Sequence, residues 1–178
     1  MAPNEIVAFW LMPAAAEREF FDGVIADLAR RFDAPVFEPH VTLFAGKMEE
    51  AAAVKLMQHF KVRESVQLQI DEIEASEKFT KTLFVQFEQA ASATALARSI
   101  KNGARTDGDY RFNPHLSLLY ADVSDEVKAE LATSITIPFH HVTFDSLKVI
   151  VTPARIRTRA EVESWRTIGQ QALAPLPA

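Results

Sequence analysis

Apolar and polar positions change their period several times along this chain, and each change marks an element. Ile6 to Met12 is a short apolar run rich in β-forming side chains and stopped by Pro13, which predicts a strand. From Ala14 to Phe32, Phe20, Phe21, Val24, Ile25 and Leu28 fall at helical spacing, and Pro35 closes that element. Phe37 to Phe44 reads as a strand broken at Gly46, and Glu49 to Phe60 as a second helix. Val66 to Ile73 largely alternates, the mark of a strand with one wet face. Leu83 to Phe87 gives another strand, and the alanine-rich stretch from Ala90 to Ile100 a third helix. Asn102-Gly103 and Asp107-Gly108 mark a polar loop carrying Arg105 and Arg111. A strand over Leu116 to Leu119 and a helix over Ser124 to Ala132, capped by Ser124, come next. Strands are predicted again at Ser134 to Pro138, Val142 to Val151 and Glu163 to Ile168. The mixture predicts an α+β fold: antiparallel strands with helices packed on one side. No stretch reads as a linker, so residues 1–178 are expected to form a single domain.

Composition narrows the chemistry. With 48% hydrophobic and 24% charged residues the chain is an ordinary globular sequence, long enough to bury a full core. It has no cysteine, which excludes disulfides, thiolate metal sites and a cysteine nucleophile. The formal net charge of −5 argues against gripping duplex nucleic acid, which takes a basic surface, and leaves a small nucleotide open. No basic start precedes an apolar run, and no apolar stretch approaches a bilayer span. The expectation is a cytoplasmic monomer with no membrane attachment.

One octet occurs twice. Phe37-Glu38-Pro39-His40-Val41-Thr42-Leu43-Phe44 returns, 75 positions later, as Phe112-Asn113-Pro114-His115-Leu116-Ser117-Leu118-Leu119. The chain has 5 histidines and 9 prolines, so matching both in register with a phenylalanine, a hydroxyl and a leucine is improbable by chance. Two copies at this spacing suggest two similar lobes rather than a solenoid. In a strand, residues i and i+2 share a face. His40 therefore sits beside Thr42, and His115 beside Ser117, while Val41, Leu43, Leu116 and Leu118 point into a core.

A lone His-x-Thr on a strand reads first as a polar pair on a solvated face. Its repetition changes that, because structural duplication has no reason to keep imidazole and hydroxyl together. If the lobes face each other, two imidazoles and two hydroxyls converge. In-line displacement at phosphorus needs a base behind the nucleophile and an acid behind the leaving oxygen, and two histidines supply both near neutral pH. The hydroxyls can donate to the non-bridging oxygens, where charge must be held. This division of labour requires neither metal nor cofactor, and none is expected. His140-His141 offers no metal pair, since adjacent strand residues face opposite ways. His59 reads as a helix-surface or packing residue, and Trp10 by default as core.

The paired motifs, their flanking prolines and leucines, and the chain length resemble the two-histidine phosphoesterase superfamily. Pro114-His115-Leu116-Ser117-Leu118-Leu119-Tyr120 is similar to the second motif of plant-type cyclic phosphodiesterases, which also carry a tryptophan in the first strand, here Trp10. The resemblance implies a bilobal, pseudo-twofold fold with an antiparallel sheet in each lobe, helices outside and an active-site cleft between the lobes. It implies hydrolysis of a ribose cyclic phosphate, either a nucleoside 2′,3′-cyclic phosphate or ADP-ribose 1″,2″-cyclic phosphate. His115 would activate water and His40 protonate the leaving oxygen. Thr42 and Ser117 would hold the phosphate, and Trp10 and Tyr120 would line the nucleotide side. Two alternatives stay open: a phosphodiesterase acting on RNA 2′,3′-cyclic ends, which needs a basic track beyond the cleft, and a nucleotide-binding module without turnover.

Overall fold

The computed structural model describes residues 4–60, 63–105 and 111–176. The elements are β1 (Glu5–Pro13), α1 (Ala15–Phe32), β2 (Val41–Gly46), α2 (Glu50–Gln58), β3 (Val66–Ala75), β4 (Leu83–Phe87), α3 (Ala91–Ala104), β5 (His115–Leu119), α4 (Asp125–Ser134), β6 (His141–Pro153), α5 (Arg159–Glu163) and β7 (Arg166–Ala172). A 3-10 turn, Phe79–Lys81, leads into β4.

Four departures from the sequence pattern have local causes. Phe37 to His40 lies outside β2, because Pro39 offers no N–H to a ladder. The strand expected at Ser134 to Pro138 is absent: Ser134 ends α4 with its hydroxyl bonded to the Leu131 carbonyl, and Pro138 denies the segment a ladder donor. Glu163 ends α5, which a reciprocal Thr158–Glu161 capping box starts, so the last strand begins only at Arg166. Asn102-Gly103 belongs to α3, which stops at Arg105 in a left-handed conformation (φ 51°). Asp107-Gly108 lies outside the described residues.

All strand pairings are antiparallel, in the order β1-β2-β5-β4-β3-β6-β7, and β6 pairs back onto β1. β6 is long enough to serve three partners: residues 141–144 pair with β3, 144–153 with β1 and 146–151 with β7. The antiparallel α+β expectation therefore holds. The strands fall into two halves, β2-β1-β6-β7 and β5-β4-β3, hydrogen-bonded into one sheet through the β3–β6 pairing and through one β2–β5 bridge. The succession β1-α1-β2-α2 recurs as β4-α3-β5-α4, so each octet feeds the second strand of its unit.

The face of each central strand decides what it reaches. In β1, Val7, Phe9 and Leu11 enter the main core, where they meet Phe21 and Leu28 of α1, Met57 of α2 and Ile100 of α3. Burying each large apolar side chain contributes about 1.5–3 kcal/mol, more than the exposed ion pairs can. The alternate residues Ala8, Trp10 and Met12 point to the opposite face and pack with Ile150 and Trp165. That second face carries the chemistry.

Candidate active site

The two octets meet at a single point. The β2–β5 bridge joins Val41 to Leu116, each the residue after its histidine. Both are fully buried in the main core. Their neighbours must then point the other way. The antiparallel sense sets His40 alongside Ser117 and Thr42 alongside His115. All four line one pocket of about 160 Å³, with Trp10 and Tyr120.

A bulge repeats on each side of this bridge. Between β1 and β2, Phe9 pairs with Phe44 and Trp10 with Thr42, leaving Leu43 unpaired. Between β4 and β5, Leu83 pairs with Leu119 and Phe84 with Ser117, leaving Leu118 unpaired. The extra residue stands three places after the histidine in both copies. Such a bulge re-aims the chain locally, here turning both strands away once histidine and hydroxyl are presented. It also puts an aromatic ring directly opposite each hydroxyl, Trp10 or Phe84.

The imidazoles are oriented alike. Nδ1 of His40 lies 2.6 Å from the Glu38 carbonyl, and Nδ1 of His115 lies 2.9 Å from the Asn113 carbonyl. A carbonyl only accepts, so Nδ1 carries the proton in each ring and Nε2 is left for the substrate. Burial lowers the His40 pKa to about 4, opposed by the Glu38 bond and reinforced by the charges of His115 and Lys148. Burial lowers His115 to about 4 as well, opposed by the Asn113 bond and reinforced by Lys81 and Lys78. Both are therefore held as neutral bases by their surroundings at neutral pH. His40 lies flat on Trp10, ring centroids 3.7 Å apart and 16° between planes, while His115 meets Phe84 at 75° and 5.6 Å.

Ser117 is buried, and its hydroxyl donates to the Thr80 carbonyl at 2.9 Å. Tyr120 is buried with its ring stacked on Phe37 at 3.8 Å, and burial raises its pKa. One face of Trp10 and one of Tyr120 are thus already covered. Among the described residues, no three His, Asp or Glu side chains gather as a metal-holding group. His140 and His141 are both exposed, and exposed His59 bonds the Lys55 carbonyl within its helix through Nδ1 (3.0 Å). No helix among the described residues is long and apolar enough to cross a membrane.

The family model for cyclic phosphodiesterase-like proteins matches residues 6–173. The chain belongs to that family. It is accordingly a phosphodiesterase of the two-histidine phosphoesterase superfamily. A cyclic phosphodiesterase of Arabidopsis thaliana is 23% identical over 97% of both chains. The fold is shared with a protein of Thermus thermophilus (TM-score 0.63, 13% identity, 96% of this chain and 98% of that one). It is shared too with E. coli LigT complexed with 3′-AMP (TM-score 0.59, 19% identity, 95% and 98%).

Three residues of this cyclic phosphodiesterase-like site escape a reading of the sequence. Trp165 sits in the turn before β7 and meets Trp10 at 5.1 Å, His40 at 6.0 Å and Tyr120 at 6.2 Å. Its Nε1–H is buried without a hydrogen-bond partner among the described residues. Being one of only two tryptophans, in a polar stretch, was the available signal. Lys148, opposite Trp10 on β6, is buried and holds both oxygens of Glu38 at 2.6 Å. A lysine inside the apolar run of β6 was its signal. Thr80 had none, since its backbone carbonyl makes the contact.

Proposed function

We propose that this phosphodiesterase hydrolyses a ribose cyclic phosphate, 2′,3′ on a nucleoside or 1″,2″ on ADP-ribose, to a phosphomonoester. The observation that carries the reading is the convergence of His40, Thr42, His115 and Ser117 on one pocket around the Val41–Leu116 bridge. Nε2 of His115 takes a proton from water as its oxygen attacks phosphorus. The opposite P–O bond breaks, and Nε2–H of His40 gives its proton to the departing ribose oxygen. Thr42 donates to a non-bridging oxygen. Ser117 does the same by turning its hydroxyl proton from the Thr80 carbonyl to the phosphate. The acid must first be charged, and burial opposes that. The phosphate's negative charge reverses the balance when it enters. The aromatic face of Trp10 then supports the cation, and the unspent Nε1–H of Trp165 is available to a substrate oxygen. The cyclic phosphodiesterase name of the Arabidopsis relative and the 3′-AMP held by LigT agree with a small nucleotide substrate.

The test is 31P NMR of 2′,3′-cyclic AMP mixed with the protein, with and without excess EDTA. The cyclic resonance should give way to a monoester in both samples, because two imidazoles supply the proton transfers. A substrate bound but left intact would make the chain a binding module. Activity lost to EDTA and restored by a divalent ion would overturn the mechanism.

A further inference from the structure

Each imidazole is oriented by a backbone carbonyl two residues before it, that of Glu38 for His40 and that of Asn113 for His115. Which ring nitrogen is left for the substrate follows from that bond. Glu38 and Asn113 both precede their strands, β2 and β5, and stand outside the ladders. In both halves a polar side chain from another strand supplies the missing restraint.

Lys148 stands on β6 directly opposite Trp10, on the face that carries the chemistry. Its Nζ donates to both carboxylate oxygens of Glu38 at 2.6 Å. Gln86 stands on β4 directly opposite His115. Its amide nitrogen donates to Asn113 Oδ1 at 3.0 Å and to the Pro114 carbonyl at 2.9 Å. The Asn113 amide returns a bond to Gln86 Oε1 at 3.4 Å. The two clamps are built alike and differ in charge, ionic behind His40 and neutral behind His115.

Stability does not account for the ionic clamp. The Lys148 side chain is 8% exposed, between the fully buried Leu147 and Val149. Taking an ammonium out of water is costly, and an apolar side chain of similar volume in its place is often neutral or stabilising. Glu38 is half exposed and would keep its hydration without the lysine. What the pair supplies is a fixed position for residue 38, and through its carbonyl a fixed ring.

Resting on the roles proposed above for the two histidines, we propose that Lys148 and Gln86 are positioning residues. Lys148 holds the Glu38 carbonyl that fixes His40, and Gln86 holds the Asn113 carbonyl that fixes His115. Without its clamp each carbonyl drifts, the ring samples the other tautomer, and Nε2 is no longer kept for the substrate. Comparable outer support under metal-bound histidines is worth about 10–100-fold. Here the carbonyl itself remains, so the expected loss is at the lower end, about tenfold in kcat.

The experiment joins 15N NMR of histidine-labelled protein at neutral pH to kinetics on 2′,3′-cyclic AMP and on a 4-nitrophenyl phosphodiester. His40→Ala and His115→Ala assign the two rings. Wild type should carry the proton on Nδ1 in both. Lys148→Met should draw the two nitrogen shifts of His40 together and leave those of His115 unmoved. Its kcat on 2′,3′-cyclic AMP should fall about tenfold with KM nearly unchanged. Gln86→Leu should act on His115 alone, with a similar loss. Lys148→Arg keeps a cation for Glu38 and should restore most of the rate. On the aryl ester, whose leaving group departs without a proton, the Lys148→Met loss should shrink and the Gln86→Leu loss persist. Glu38→Ala/Lys148→Met leaves neither charge unpaired and should lose no more than Lys148→Met alone. An unmoved His40 tautomer in both Lys148→Met and the double variant would overturn the inference, whatever the rate. A moved tautomer with full kcat would overturn it as well. A moved tautomer with equal loss on both substrates would keep the clamp and take the acid role from His40. A wild-type protein that opens no cyclic phosphate would sink the proposed activity, and the NMR would still decide the clamp.

Discussion

The two motif-bearing halves share one backbone plan and differ in what stands beside each imidazole. In the first half a row of cross-strand neighbours runs Lys148, Trp10, Thr42; in the second it runs Glu74, Phe84, Ser117. Trp10 offers a flat face to His40. Phe84 carries Lys81 over one face, 3.8 Å from the ring centroid, and meets His115 at a steep angle. Lys148, though paired with Glu38, pushes against a charge on His40, as Lys81 and Lys78 do against one on His115. What separates the two is the aromatic face stacked on His40 alone, which favours a charge there once an anion arrives. In the proposed mechanism that difference makes His40 the acid and His115 the base.

The sharpest way to break this comparison is to remove each imidazole in turn. His115→Ala and His40→Ala should each lose about 10²–10⁴ in kcat on a cyclic nucleotide. The double variant should lose far less than the product, since both groups act on one transition state. The halves separate on an aryl phosphodiester, whose phenolate leaves without being protonated. His40→Ala should recover much of its rate there, and His115→Ala should not. Recovery by His115→Ala alone would exchange the two roles.

How much of this was readable beforehand divides along physical lines. His40, Thr42, His115 and Ser117 announce themselves because chemistry repeats in register, and the two-residue period of a strand puts each pair on one face. The strong β- and helix-periodic segments fixed nearly every element, because β1 and α1 bury continuous or regularly spaced apolar residues. What pairs with what was not readable. The Val41–Leu116 bridge, the bulges at Leu43 and Leu118, and the stacking of Trp10 on His40 depend on residues distant in sequence. Trp165 was hidden because a capping box, not an apolar pattern, shapes the turn before it.

A smaller effect should come from the hydroxyls. Thr42→Ala and Ser117→Ala should each cost on the order of 10² in kcat if the bond to phosphate forms mainly in the transition state. Ser117→Ala has a second consequence, since it deprives the Thr80 carbonyl of its donor at the wall of the pocket. That should lower stability by about 1 kcal/mol, or about 2–4 °C in Tm for a chain of this size. Thr42→Ser keeps the donor and should retain most activity. Steady-state kinetics beside thermal unfolding separates the two effects. A Ser117→Ala protein with a lower Tm and full kcat would confine that hydroxyl to the fold.

The smallest effect bears most directly on why one imidazole becomes the acid. The active form holds one proton on the histidine pair, so kcat/KM should follow a bell whose limbs belong to the pair. Burial lowers both pKa values to about 4. Raising the pH therefore strips the single proton early, and the basic limb of kcat/KM should lie below the ordinary imidazole value of 6.5. Bound phosphate favours the charged imidazole, so the limbs of kcat should lie at higher pH than those of kcat/KM. Trp10→Leu keeps an apolar filler over His40 but removes the aromatic face. Losing that support for the cation is worth roughly 2- to 30-fold at neutral pH. The basic limb should move lower still, and the deficit should narrow as the pH falls. Movement the other way would mean that Trp10 acts mainly by keeping water from His40, since desolvation is the largest cause of its low pKa. An unchanged profile would leave the acid role of His40 resting on something other than the ring stacked against it.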